Sequence, residues 1–179
     1  MANDFEFRRL QKSDLGLVLE WRQKPHIEKY MLTQFVGDEV TQLKWFHNQV
    51  KREDRGYWII LVQGRSIGLI NLIDITYPNK EIADAGFYIG EPEFSNMAGF
   101  ILPCFYNYVF NDCGFQKISG HVILGNPIVH LHQMHGYKII EEITVTSTAG
   151  AEVPCQSIEL TNVDWKNNKR FSRHTAKFD

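Results

Sequence analysis

The stretch GEPEFSNMAGF, residues 90–100, lies between a run that reads as a strand and one that reads as a helix. A strand, a turn of small residues and a helix start together suit a phosphate, because the first backbone N–H groups of a helix have no partners of their own. The turn is short of glycine, and Pro103 follows closely. A proline inside a helix removes a hydrogen bond and costs on the order of 3 kcal/mol, so the helix is expected to kink there or to begin late. A second concentration of chemistry-bearing side chains is His130, His132 and His135. On a helix turning about 100° per residue, only His132 and His135 share a face. With no carboxylate or cysteine to complete a ligand set, no metal is expected there.

The elements that must position these residues follow from periodicity. Phe5, Phe7 and Leu10 frame a first strand, Ser13 offers an N-cap, and Leu15, Val18, Leu19 and Arg22 repeat at helical spacing until Pro25. Residues 39–51 make a second amphipathic helix with Val40, Leu43, Phe46 or Trp45, and Val50 near one face. Two β-rich runs then flank Gln63-Gly64-Arg65, a three-residue hairpin connection, and residues 81–89 add a third strand of the same meander. A helix over residues 97–111 closes at Gly114, followed by a strand over 117–124, a short helix over 127–135, and strands over 137–146 and 156–163. The polar, basic residues 166–179 are expected to fray, leaving one domain over residues 1–165. The clustered meander predicts the α+β class, with a mixed, mostly antiparallel sheet of about seven strands flanked by about four helices.

Composition narrows the function. The chain has 179 residues, 44% hydrophobic and 13% aromatic, which supplies one well-filled core. A formal charge of -2 with interspersed signs argues against nucleic acid as a partner. No stretch approaches the roughly 18 apolar residues of a membrane span, and the N-terminal residues lack a signal-peptide core. Three cysteines, Cys104, Cys113 and Cys155, match no zinc or redox spacing and read as free thiols of a cytoplasmic protein.

The element order, with a strand-turn-helix cradle after the third meander strand, resembles the GNAT superfamily of acyl-CoA N-acyltransferases over residues 5–163. Within it, LEWRQKPHIEKYM (residues 19–31), ADAGFYIGEPEF (83–94) and LHQMHGYKIIEE (131–142) resemble the PseH-type branch, which acetylates the 4-amino group of a nucleotide-linked aminosugar in pseudaminic acid synthesis. The resemblance implies acetyl-CoA as cofactor, held by the backbone of Phe87, Tyr88 and Ile89, by the cradle residues Phe94, Ser95, Asn96, Met97, Ala98 and Gly99, and by Asn126. In the family's Q/R-x-x-G-x-G/A cradle pattern, Glu93, Asn96 and Ala98 fall on the key positions, so only Ala98 conforms. Asn96 tolerates a positive φ and could turn the chain in place of glycine. Glu93 must point away from a pyrophosphate.

Acetyl transfer to an amine needs a group that takes up a proton, an oxyanion donor and a proton for the departing thiolate. By the same resemblance, Asp84 occupies the place of the family's carboxylate and acts through a water, and one N–H near Phe87–Ile89 is the oxyanion donor. Read from its sequence neighbours alone, Asp84 equally suits a simple ion pair at a strand end. Gly86 and Gly90 permit a close backbone approach. His132 stands at the family's acid tyrosine and, as an imidazolium, would protonate the thiolate. Trp21, Arg22, Tyr30 and Met31 are assigned to the acceptor, the arginine to a diphosphate and the aromatic rings to a base or sugar. Lys24 and Lys29 add charge. The alternatives are a protein N-terminus or a polyamine as acceptor, or a non-catalytic acyl-CoA-binding module. The oligomeric state, a homodimer included, is left open.

Overall fold

The computed structural model describes residues 5–33, 37–76, 79 and 81–179. Strand β1 (Phe5–Arg9) leads through a 3-10 turn into α1 (Leu15–Arg22), followed by the short α2 (Pro25–Glu28) and by α3 (Glu39–Gln49). Strands β2 (Gly56–Val62), β3 (Arg65–Ile73) and β4 (Ile82–Ile89) form the meander. A 3-10 turn over Pro92–Met97 runs straight into α4 (Ala98–Asn107), which ends in a π turn over Tyr108–Asp112. Then follow β5 (Lys117–Ile123), α5 (Ile128–His135), β6 (Lys138–Thr146), β7 (Glu152–Thr161), α6 (Asn162–Asn167) and β8 (Lys177–Phe178). The strands make one mixed sheet in the order β6-β7-β5-β4-β3-β2-β1-β8, antiparallel except at β4/β5 and β1/β8. The α+β class is as expected, with eight strands in place of about seven and six α-helices in place of about four among the described residues.

Alternation along β2 explains the layering. Trp58, Ile60 and Val62 face one core with Ile101, Leu102 and Phe105 of α4, while Ile59 and Leu61 face another with Trp21, Ile27 and Phe46. The β2–β3 connection is a two-residue turn, Gln63 and Gly64, at φ 51° and 79°, the tight form whose twist matches the strands.

Local signals shifted in three places. Asp14, not Ser13, organises the start of α1: its carboxylate accepts from the Gln11 N–H at 2.8 Å and from Arg8 at 2.8 and 3.0 Å. Pro25 opens α2 as its first residue instead of ending α1, using a position where its missing N–H costs nothing. In α3 the buried stripe runs through Gln42 and Phe46, and Val40 and Val50 are 59% and 54% exposed. Val40 lies about 120° around the helix from Phe46, and Val50 lies past the last packed turn.

The fraying expected after residue 165 does not occur. The Asn107 amide donates to the carbonyls of Phe171 at 3.0 Å and His174 at 2.8 Å, and its oxygen accepts from Trp165 Nε1 at 2.8 Å. Phe171 stacks on Trp165, and Phe178, paired through β8 to β1, stacks on Phe7 and Tyr108 with ring centroids 4.6 and 3.8 Å away. Two aromatic residues among polar ones were the signal. Phe178→Ala is expected to destabilise the fold by roughly 2–3 kcal/mol in urea denaturation, since it removes a partly buried ring and both stacks. A midpoint unchanged from the parent would show that this segment contributes nothing.

Candidate active site

Strands β4 and β5 pair over three residues only: Ile82 with Lys117, Ala83 with Ile118 and Asp84 with Ser119. On its other side β4 stays paired with β3 as far as Ile89 opposite Gly68. Beyond Asp84, one edge of β4 therefore has no ladder partner. Between the diverging strands lies a cavity of about 490 Å³, with Ala85 to Ile89 on one wall, Gly120 to Ile123 on the other and His132 of α5 beside them. A free strand edge on an elongated cavity suits an extended, amide-bearing chain, which adds to the edge as a further strand would.

Gly86, on the cavity wall, and Gly90 are both closely packed by this chain's own side chains. A Cβ on Gly90 would lie 2.2 Å from the Trp21 ring, and one on Gly86 would lie 2.8 Å from Asn71 Oδ1. Both make room for this chain's own side chains.

The cradle is a 3-10 turn, with Ser95 and Ala98 on the cavity wall, as is Asn126. Phe94, Asn96, Met97 and Gly99 are in or beside the same turn but off that wall. Asn96 does not adopt a positive φ; the helical path of the turn makes a left-handed residue unnecessary. Glu93 is drawn off by Arg65, which lies 2.6 Å from Glu93 and 3.3 Å from Glu91. Lys24, 3.6 Å from Glu91 and 3.3 Å from Glu20, brings the cluster to two cations and three carboxylates. The repulsion expected of Glu93 toward a phosphate is reduced by its pairing with Arg65.

Helix α4 begins at Ala98 and continues through Pro103. Proline cannot bond the carbonyl four residues back, which is that of Gly99. His135, 1% exposed, packs edge-on against Tyr106, Trp165 and Phe171, with its Nδ1 buried without a hydrogen-bond partner among the described residues.

Asp84 stands on the last rung of the β4/β5 ladder, half-buried on the cavity wall, and accepts a hydrogen bond from the Ser119 hydroxyl. His132 is buried on the wall of the same cavity, with Phe87 and Tyr137 edge-on at 6.0 and 4.9 Å. Burial, and then the neighbouring His135, lower its pKa from 6.5 to about 4. The imidazolium expected at this position is therefore corrected: desolvation keeps the ring neutral near pH 7. Ser119 and Tyr106 also line the cavity and were not singled out from sequence. Ser119 becomes visible only through its parallel register with Asp84.

At the other end of the cavity lie Arg22, Tyr30 and Met31 with His26, Trp45 and Tyr57. Trp21 is not among them. It is 0% exposed, its ring fills the space left by Gly90, and its Nε1 donates to Glu91 at 2.7 Å, so it belongs to the core. Arg22 donates to the Thr33 carbonyl and, at 2.9 Å, to the Thr33 hydroxyl. Its guanidinium pKa is lowered by burial, and no carboxylate pairs with it among the described residues. The Tyr88 hydroxyl beside it is buried without a hydrogen-bond partner, and burial raises its pKa. Lys24 is engaged by Glu20, Glu91 and the Gly90 carbonyl, and Lys29 sits over the Tyr30 ring.

This geometry coincides with a family match. Residues 4–129 match the Acetyltransferase (GNAT) domain, and the chain belongs to that family. It is an acetyltransferase of the kind that moves an acetyl group from acetyl-CoA to an amine. Among curated relatives it is similar to Acetyltransferase PseH of Campylobacter jejuni subsp. jejuni serotype O:23/36 (strain 81-176), 21% identical over 137 residues, 76% of this chain and 84% of that one. The protein of the same name from serotype O:2 (strain ATCC 700819 / NCTC 11168) is 22% identical over the same length. Among solved structures, the fold is like that of spermidine N-acetyltransferase from Vibrio cholerae in complex with CoA and spermine, with a TM-score of 0.81 at 20% identity over 92% of this chain and 99% of that one.

The two buried histidines give the stability a pH dependence. Each has a folded pKa near 4 against 6.5 when unperturbed, so the unfolded chain binds more protons between those values. Stability is expected to fall as pH drops, by on the order of 2 kcal/mol per histidine from about pH 6.5 to pH 5. Urea midpoints measured across that range check this, and a flat profile would contradict neutral burial.

Proposed function

We propose that this acetyltransferase acetylates the 4-amino group of an amino-dideoxysugar linked to a nucleoside diphosphate, by direct attack in a ternary complex with acetyl-CoA. The observation that carries this reading is Arg22, a partly buried guanidinium on the cavity wall whose pKa burial lowers and which has no carboxylate partner among the described residues. A partly buried cation of this kind is stabilised by an anionic ligand, and a guanidinium fits a diphosphate in bidentate fashion. The orphaned Tyr88 hydroxyl supplies a further donor, and Tyr30, Trp45 and Tyr57 offer faces for a base or sugar. Asp84 is the only carboxylate on the wall among the described residues, which suits a polycation poorly.

In this reading the backbone of Phe87 to Ile89 pairs with the cofactor's amides, and one N–H there receives the developing oxyanion. Ser95, Ala98 and the neighbouring turn hold its phosphates, with Asn126 along the arm. Asp84, fixed by Ser119, takes the amine proton through a water. Met31 and Tyr30 enclose the acceptor opposite Arg22.

Turnover is best measured with acetyl-CoA and four acceptors: a UDP-linked 4-amino-dideoxysugar, its 4-hydroxy counterpart, spermidine and an unblocked peptide. Only the aminosugar is expected to give efficient CoA release and an acetylated product by mass spectrometry; faster acetylation of spermidine or of the peptide would overturn the proposal. Arg22→Ala is expected to raise the KM for the aminosugar roughly 10- to 100-fold, the worth of a charge-assisted hydrogen bond, with kcat little changed. Asp84→Asn is expected to lower kcat by about 10²-fold or more while calorimetry shows acetyl-CoA affinity nearly intact. A parental kcat in that variant would remove Asp84 from the proton transfer.

A further inference from the structure

Two tyrosines on the cavity wall beside His132 have no part in the roles above. Tyr106 comes from α4 and Tyr137 follows Gly136, the residue that caps α5; they are 2% and 6% exposed. Their rings meet edge to face with centroids 5.7 Å apart, and Tyr137 stands edge-on to His132 as well. Burial raises both phenol pKa values far above the ordinary, so each keeps a proton that needs an acceptor. Among the described residues, the one side-chain hydrogen-bond partner of the Tyr106 hydroxyl is His132 Nδ1, at 3.5 Å, and it is the acceptor within reach of the Tyr106 proton.

We infer that Tyr106 is a positioning residue that, by donating to Nδ1, fixes His132 as the Nε2–H tautomer and aims that N–H at the sulfur leaving in acetyl transfer. The inference rests on the acetyltransferase reading but not on the identity of the acceptor. With the opposite tautomer, an Nδ1–H would face the Tyr106 hydroxyl, and one buried donor would go unpaired.

The step balances without an imidazolium. The amine nitrogen bonds to the thioester carbon, the carbon–sulfur bond breaks, and its electron pair stays on sulfur. One amine proton leaves through the water on Asp84 to solvent. The thiolate, stabilised while it departs by the His132 Nε2–H, takes its proton from solvent afterwards, and His132 keeps its own. A neutral imidazole that donates a hydrogen bond without losing its proton is an established way to stabilise developing negative charge.

The test uses protein labelled with ¹⁵N-histidine, with the His132 resonances assigned from a His132→Gln spectrum. In the parent protein, long-range ¹H–¹⁵N correlations are expected to show Nδ1 unprotonated and Nε2 protonated. In Tyr106→Phe, which keeps the ring and its packing, the two tautomers are expected to mix. That variant should also lose roughly tenfold in kcat, the usual scale for a residue that orients a histidine, with the KM for acetyl-CoA within about twofold. Near-UV circular dichroism and a thermal melt confirm that the variant folds. An Nδ1–H tautomer in the parent, or a tautomer or kcat unchanged in Tyr106→Phe, would overturn the inference. The tautomer is read without any acceptor, so rejection of the aminosugar as substrate leaves this arm standing.

Discussion

The parallel pairing of β4 with β5 lasts three rungs and then stops, and the rest of the molecule is arranged around that stop. Where it stops, a carboxylate and a hydroxyl close the ladder, Asp84 against Ser119. Past it, backbone groups that would otherwise bond a strand face a cavity. Unpaired strand edges invite association, and here the open edge lies inside the sheet and not at its margin. The pairing of β5 with β7, which runs from Lys117 to Ile123, keeps the far wall rigid while β4 diverges. The cavity is thus a defect in the sheet held open by intact ladders on both sides.

Electrostatics inside this defect is governed more by desolvation than by charge pairs. His132, Tyr106, Tyr137 and Tyr88 are all held in their neutral forms by burial. Against that lining stand, among the described residues, one carboxylate, Asp84, and one guanidinium, Arg22, with the free edge of β4 between them. In a low-dielectric setting, single charges act over longer range than in water, so the two ends of the cavity are chemically distinct. The charged cluster at the cradle is separate and exposed, and it serves to offset its own carboxylates.

Much of the scaffold was legible in the residues because its signals are local. The β2–β3 hairpin, the amphipathic α3 and the turn before α4 each follow from spacing within a dozen positions. The site was legible only in part. Asp84, Arg22, Tyr30, Met31 and the Phe87–Ile89 backbone do line one cavity, whereas Trp21 has the composition of a ligand platform and the position of a core residue. What decides between those two is the missing side chain of Gly90, far away in sequence. Ser119 and Tyr106 escaped notice because a parallel register and a packing of α4 on α5 are tertiary facts. The protonation state of His132 likewise depends on burial, which no spacing encodes.

Gly90, just past β4, and Trp21 on α1 share one space, since a Cβ at position 90 would lie 2.2 Å from the indole ring. A side chain at 90 has no room while the indole is there, and a smaller residue at 21 alone would leave a void. Each single change therefore costs stability that the paired change would in part return. The two positions hold one volume in common, so the residue tolerated at either is conditional on the other.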